Sequence, residues 1–332
     1  MPSKRHHLVP EFYLEFFADR SGRRPVVWVY DKDSPAPRPQ LPKDTAIETH
    51  FHTVQLPDGT RTDRLERSFS KIETIAAPIL ARWVEPRYRM RPEEIAEIAY
   101  FLGLIHGRVR RSVEAGIEWV REFVVWWLQR LASDPERYRE SYARFLRDSP
   151  GLDAPPVEEM LALSRDPERH FRFGANPQFA LGMGMLTIKD VARQLLTMNW
   201  CLCTAPRSTF FVTSDTPLTI FRQSGPLASF GGGLALPDVE VAFPISPEIC
   251  LFVDRRHRED RRRVSRSFVS QINRRVAFGA ERIVISHLKA RRVERLVREA
   301  AQTRQWPKWG RTAVRRWLDT HAEEFARRPG SG

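Results

Sequence analysis

The period of the apolar residues changes near the middle of this chain, and that change limits the fold more than any motif does. Leu65, Phe69, Ile72, Ala76, Ile79 and Trp83 recur at threes and fours, the spacing that gathers side chains on one helix face. Residues 62–84 are therefore expected to form an amphipathic helix, with Pro78 inside it as a point of bending. A second helix is expected to start at Arg91-Pro92-Glu93-Glu94, where acidic residues suit the first turn. Its stripe runs from Ile95 through Leu102, Val109 and Val113 to Val124, so it should exceed thirty residues and end near Leu131. Pro177 opens a further helix reaching about Leu195. Beyond it the pattern becomes short apolar runs bounded by turns: NWCLCTA, TFFVTSD, VEVAFPIS, ICLFVD and RIVIS. One more helix is expected over 264–278, and two basic helices should finish the chain.

Helices first and strands later predict an α+β fold with a mixed or antiparallel sheet. Strand–helix–strand alternations are too few for a doubly wound nucleotide fold. The expected organisation is one α+β domain over 1–290, with a proline-punctuated helical insertion at 133–175 and a basic helical extension at 291–332. The start of the chain is its densest stretch, HHLVPEFYLEFFAD over 6–19. Pro10 fits a first helical turn, where its missing N–H costs nothing, and residues 26–30 read as a strand. ETHFHTVQLPDGT reads as a short strand ending in a Pro-Asp-Gly turn.

Of 332 residues, 54 are Lys or Arg and 41 are Asp or Glu, a net charge of +13. All of that excess lies after Cys250, where 22 basic residues face 9 acidic ones. Residues 255–316 are thus the expected contact for a polyanion such as a nucleic acid. Against this, 47 of the 54 basic residues are arginine, a skew that codon usage also produces on solvated helix faces. No apolar run reaches the roughly 18 residues of a membrane helix, and no signal peptide is evident, so a cytoplasmic protein without a membrane partner is expected. Cys201, Cys203 and Cys250 are too few and too scattered for a disulfide framework. On a strand Cys201 and Cys203 share one face, which suits buried thiols.

Several polar residues are candidates for chemistry. His6 and His7 are adjacent on an extended segment, so they point to opposite faces and do not chelate one ion together. A neutral imidazole there could act as a base, ligand or structural hydrogen-bond partner. His50 and His52 share a strand face about 6.5 Å apart, without a visible third ligand. Glu66 and Glu73 lie seven apart on the first long helix, about 10.5 Å along its axis. They border the apolar stripe, with Arg108, Arg110 and Arg111 as available ion-pair partners. FFVTSDTP brings Thr213, Ser214 and Asp215 to the end of an apolar run, where scaffolds present chemistry and where hydrogen-bonded turns also form. Gly231–Gly233 lack the Lys-Ser/Thr of a phosphate loop. Gly182 and Gly184, within a helical pattern, mark close helix packing.

These landmarks together resemble the bacterial Domain of Unknown Function 4238 family over about residues 6–287. The carriers are His7-x-Val9-Pro10-x-x-Tyr13-Leu14, VWVYDKD, LERSFSKIETIAAPIL with its two glutamates, an arginine at 108 or 110, FFVTSDTPL, FPISP, Asn273 and AERIVIS. Phe51-His52 departs from the family's Phe-Tyr, which weakens a metal site on His50 and His52. The resemblance implies no activity. It nominates His7, Glu66, Glu73, Arg108, Asp215 and Asn273 as an acid–base and phosphate-binding set.

Two functions of different class are compatible with these residues. One is a phosphate-ester or nucleic-acid hydrolase, with Glu73 and Asp215 holding Mg or Mn through hard oxygen ligands and Arg108 stabilising phosphate charge. The other is a non-enzymatic binding or sensor module whose polar cluster is structural.

Overall fold

The apolar stripe beginning at Leu65 forms the helix Arg64–Trp83, with Pro78 in its interior. The computed structural model describes residues 5–34, 36–49, 54–55, 61–62, 64–173, 177–222, 233–302, 315 and 318–320. His50, His52, Gly231 and Gly232 lie outside the described residues. The long helix expected from residue 91 is two helices, Pro92–Arg108 and Arg110–Ala132. Val109 between them is extended, with φ −73° and ψ 148°. The break is satisfied locally: the Ser112 hydroxyl donates to the His106 carbonyl at 2.5 Å, and the Ser112 and Val113 N–H groups take the Val109 carbonyl. It also leaves Arg108 at a helix end instead of mid-helix.

The chain divides into two compact units. The first comprises residues 1–113 and 181–306, the second 114–180 and 307–332. Most of the segment expected as an insertion, 133–175, falls in the second unit, together with most of the helix Arg110–Ala132. Within that unit Pro135–Asp148 packs on Val157–Arg165 through Tyr138 and Leu161. Trp126 packs on Leu318 and donates from its indole N–H to Asp319 at 2.8 Å. The expected basic extension does not stay together: Arg291–Gln302 belongs to the first unit, and residues from 307 onward to the second.

The first unit is α+β, as the two periods require. A five-stranded sheet runs in the order Arg261–Arg263, Asn199–Thr204, Ile249–Asp254, Val239–Pro244, Thr219–Arg222. All its pairings are antiparallel except that of Arg261–Arg263 with Asn199–Thr204. A four-stranded antiparallel sheet has the order Arg38–Gln40, Val27–Asp31, Ile283–Ser286, Thr213–Ser214. Strand alternation sorts the cores. Trp200 and Leu202 join Trp83, Phe101, Tyr13 and Phe243 in the core of the long helices. Cys201 and Cys203 instead join Cys250, Phe252, Ile272 and Val297, in the core of helices Arg266–Gly279 and Arg291–Gln302. All three cysteines are buried free thiols. Cys250 stands opposite Cys203 across the strand pair, and burial raises its thiol pKa.

Gly184 does mark a close approach: a Cβ there would lie 2.7 Å from the Gly107 carbonyl oxygen, and one on Gly107 2.8 Å from that of Gly184. Gly182 meets nothing within 4 Å. The run Phe210–Val212 is not a strand. Only Thr213–Ser214 pairs in the sheet, because a side chain takes over the backbone just before it.

Candidate functional site

That side chain is Asn273. Its amide donates to the Phe210 carbonyl at 2.8 Å and accepts from the Val212 N–H at 3.0 Å. It satisfies both backbone polarities that a neighbouring strand would otherwise meet. Asp215, a few residues further along, is engaged in the same way. Its buried carboxylate accepts three backbone N–H groups, from Glu281 at 2.9 Å, Arg282 at 2.8 Å and Ile283 at 2.9 Å. Burial raises its carboxyl pKa, against the three donors and the Lys32 ammonium, which favour the carboxylate. Both residues bind chain to chain.

The helix break places Arg108 against the first strand, Arg5–His7. Its side chain is 1 % exposed. Nε donates to the Leu8 carbonyl at 2.8 Å, Nη2 to the His7 carbonyl at 3.0 Å and Nη1 to Glu73 Oε1 at 2.5 Å. The Phe69 ring centroid lies 5.8 Å from the guanidinium carbon. The expected pairing of a helix-border glutamate with an arginine of the next helix is thus met by Glu73 and Arg108, while Arg110 pairs with Glu48. Glu66 lies two turns before Glu73, partly buried. Of the two histidines, His6 is the fully buried one. The His7 ring contacts the Lys43 carbonyl at 3.1 Å through Nε2.

The six nominated residues therefore do not converge. His7, Glu73 and Arg108 share one cluster, with Glu66 on the same helix, whereas Asp215 and Asn273 fasten the sheet to residues 281–283 and 210–212. Glu73 and Asp215, expected to hold one ion, are engaged by different partners. Among the described residues no three His, Cys, Asp or Glu side chains gather into a metal-holding group.

A concave feature lies elsewhere in the first unit, a cleft of about 1550 Å³. Its wall carries the edge strand Arg261–Arg263, the Pro206–Phe210 turn and residues 287–292. Arg20 in the wall is paired with Glu15 at 2.5 Å. Arg207, Arg261, Arg262, Arg263 and Arg292, also in the wall, have no carboxylate within ion-pair distance among the described residues. Elsewhere Arg82, Arg108, Arg139, Arg222, Arg275 and Arg315 meet carboxylates, while Arg130 and Arg255, like these five, meet none among the described residues, so the gathering in one wall is what distinguishes the five. One acidic lining residue besides Glu15 is Glu248, which accepts from the Ser246 hydroxyl at 3.0 Å.

Several donors in this wall are buried and unused. Arg261 spends Nη2 on the carbonyls of Trp83, at 2.7 Å, and Glu85, at 3.0 Å, while its Nε and Nη1 have no partner. Arg262 Nε and His287 Nδ1 are likewise buried without a partner. Such an orphan costs about 1–3 kcal/mol, and an acceptor that reached one would recover that cost. Burial lowers the pKa of Arg261 and pushes the His287 imidazole below the ordinary histidine range, which leaves it neutral at pH 7. Sequence reasoning placed the basic excess over 255–316 but assigned it to helices. The signal for the cleft was the run RHREDRRRV, in which three arginines sit on a strand too short to recognise by alternation.

No curated protein and no solved structure matches this chain. One family profile does, over residues 5–290, which includes the Arg108 cluster, Asp215, Asn273 and most of the cleft wall. On that match, the chain belongs to the family described as Protein of unknown function (DUF4238).

Proposed function

We propose that this protein binds an extended phosphate-bearing ligand, a nucleic-acid strand, in the arginine-lined cleft. The observation that carries the reading is the gathering in one concave wall of five arginines that meet no carboxylate among the described residues. Like charges gathered in a cleft repel one another and focus a positive field outward, an arrangement that an anion relieves. Size supports a ligand longer than a metabolite: small-molecule pockets hold about 300–1000 Å³, and this cleft holds about 1550 Å³. The charges come from separate elements along the wall, which suits a chain of phosphates better than a single one. Contacts of this kind position a backbone without reading bases.

The hydrolase expected on His7, Glu66, Glu73, Arg108, Asp215 and Asn273, with Mg or Mn, has less support. Its two metal-binding carboxylates already carry structural partners, so the second expectation, a binding module with a structural polar cluster, is the better supported. Fluorescence anisotropy with a labelled single-stranded oligonucleotide tests the proposal. The wild type should bind at about 50 mM salt. Arg207→Ala/Arg263→Ala should weaken binding at least about tenfold, since both residues are exposed and their loss leaves the core intact. Arg139→Ala, which removes a surface pair with Glu158, should change nothing. No binding by the wild type, or equal binding by the double variant, overturns the proposal.

A further inference from the structure

One end of the cleft is built differently from the remainder. There the Arg292 guanidinium carbon sits 3.8 Å from the centroid of the Phe210 ring. The His287 ring meets the same phenyl edge-on, at 4.7 Å and 90°. A single buried aromatic ring thus orients two nitrogen-rich side chains, and both line the cleft. Arg292 gives one N–H to the Ser208 carbonyl at 3.3 Å. Its other donors meet no carboxylate among the described residues. Arg207 stands in the adjoining Pro206–Thr209 turn, closed by the Thr209 N–H to the Pro206 carbonyl at 2.9 Å. His287 Nδ1 is buried with nothing to bond.

We infer that this end of the cleft is a subsite for a terminal phosphate monoester, with Arg207, His287 and Arg292 as its donors. The inference rests on the cleft reading above and narrows its ligand to a strand with a phosphorylated end. The chemistry separates a monoester from the diesters inside a strand. A monoester carries about −1.5 to −2 charge near pH 7 and three terminal oxygens, a diester one charge and two. Two guanidiniums and an imidazole supply donors for three oxygens and charge for a dianion. Arg292 lies over one face of the phenyl ring and His287 stands at right angles to it, so that face is closed to a base. That favours phosphate over nucleobase at this end.

The imidazole is also poised to respond. Burial and Arg292 hold it neutral, while Glu248 and Asp19 favour the imidazolium. A dianion held at Arg207 and Arg292 adds to the second pair and draws a proton onto the ring.

The test compares oligonucleotides of one sequence bearing a 5′-phosphate, a 3′-phosphate or hydroxyl ends, by anisotropy at pH 7. A hydroxyl-ended strand one nucleotide longer controls for added charge. The wild type should prefer one phosphorylated end by about tenfold over both hydroxyl-ended strands. His287→Gln should bring the preference to about one while affinity for the hydroxyl-ended strand falls less than about threefold, and Arg292→Ala should weaken both strands, the phosphorylated one by the larger factor. A merely structural role would weaken every strand alike and overturn the inference. Equal wild-type affinity for all ends also overturns it and leaves the cleft reading standing. Failure of every strand to bind overturns both.

Discussion

Salt dependence gives the cleft its most demanding test, because the structure fixes the number. A protein that neutralises Z phosphates of a single strand releases counterions, and log K falls against log salt with a slope of about −0.7Z. Five arginines that meet no carboxylate among the described residues line the cleft. If each meets one phosphate, the slope is about −3.5, and raising salt from about 50 to about 200 mM weakens binding about a hundredfold. Arg20, held by Glu15, is left out, because breaking that pair offsets the phosphate it would gain. Arg207→Ala/Arg263→Ala leaves three contacts, a slope of about −2 and a loss of about twentyfold over the same range. Anisotropy titrations at four salt concentrations measure both slopes. A wild-type slope shallower than about −1 would refute the reasoning, since chance contacts with the basic surface produce that much. An unchanged slope in the double variant would refute it separately, by showing that the phosphates lie elsewhere.

Three further substitutions examine the polar clusters. Glu73→Ala removes the carboxylate on Arg108 and should cost about 2–3 kcal/mol in urea unfolding, below a fully buried pair because Glu73 is 23 % exposed; an unchanged midpoint would show that the clamp on His7 and Leu8 suffices. Asp215→Ala strands three backbone N–H groups at the start of the strand Ile283–Ser286 and should cost about 3 kcal/mol or more. The surviving folded protein should still bind oligonucleotide, and a loss of binding at unchanged stability would return Asp215 to the functional set. Glu94 is pushed up by burial but held down more strongly by Tyr88, Trp83, Arg82 and the Arg91 N–H, to a pKa of about 2 against a usual 4.5. A depressed folded pKa gives stability that is present above pH 4.5 and lost as pH falls towards 2, on the order of 3 kcal/mol. Glu94→Gln should flatten that acid limb, and an identical limb in the variant would contradict the assignment.

The parts of the fold that rest on repetition were legible in the sequence. Leu65 to Trp83 gave a helix because six apolar residues agree on one face, and the strands Val27–Asp31, Asn199–Thr204, Val239–Pro244, Ile249–Asp254 and Ile283–Ser286 were found because each lies in an apolar run between turns. Single contacts were not legible. The stripe through Val109 is continuous in period, yet the helix breaks there, since the Ser112 hydroxyl and the Arg108 clamp stabilise an extended residue that no periodicity announces. TFFVTSD has strand composition, yet Phe210–Val212 is irregular because one distant amide, Asn273, bonds it on both polarities. Glu94 was visible as a first-turn acid that suits the helix dipole. That it gathers Arg82, Trp83 and Tyr88 depended on how the turn after residue 83 folds back.

The same difference separates the two kinds of polar residue in this protein. Asp215 stands out in sequence at the end of an apolar run, Arg108 and Asn273 through the family resemblance, and Asp215 and Arg108 are both buried and satisfied. A buried polar group with all its partners has little left to offer a ligand. The arginines of the cleft look ordinary in sequence, as members of a basic run in an arginine-rich chain. What sets them apart is their gathering in one wall, a property of the fold that no single position carries. Phe252 and Phe268 hold the Arg262 guanidinium, at 5.7 and 5.3 Å from their centroids, and Arg262 Nε is buried with no acceptor. Rings fix its position without neutralising its charge. A side chain that rings orient without a carboxylate to answer it is suited to meet an anion from outside, and the cleft holds two of them, Arg262 and Arg292.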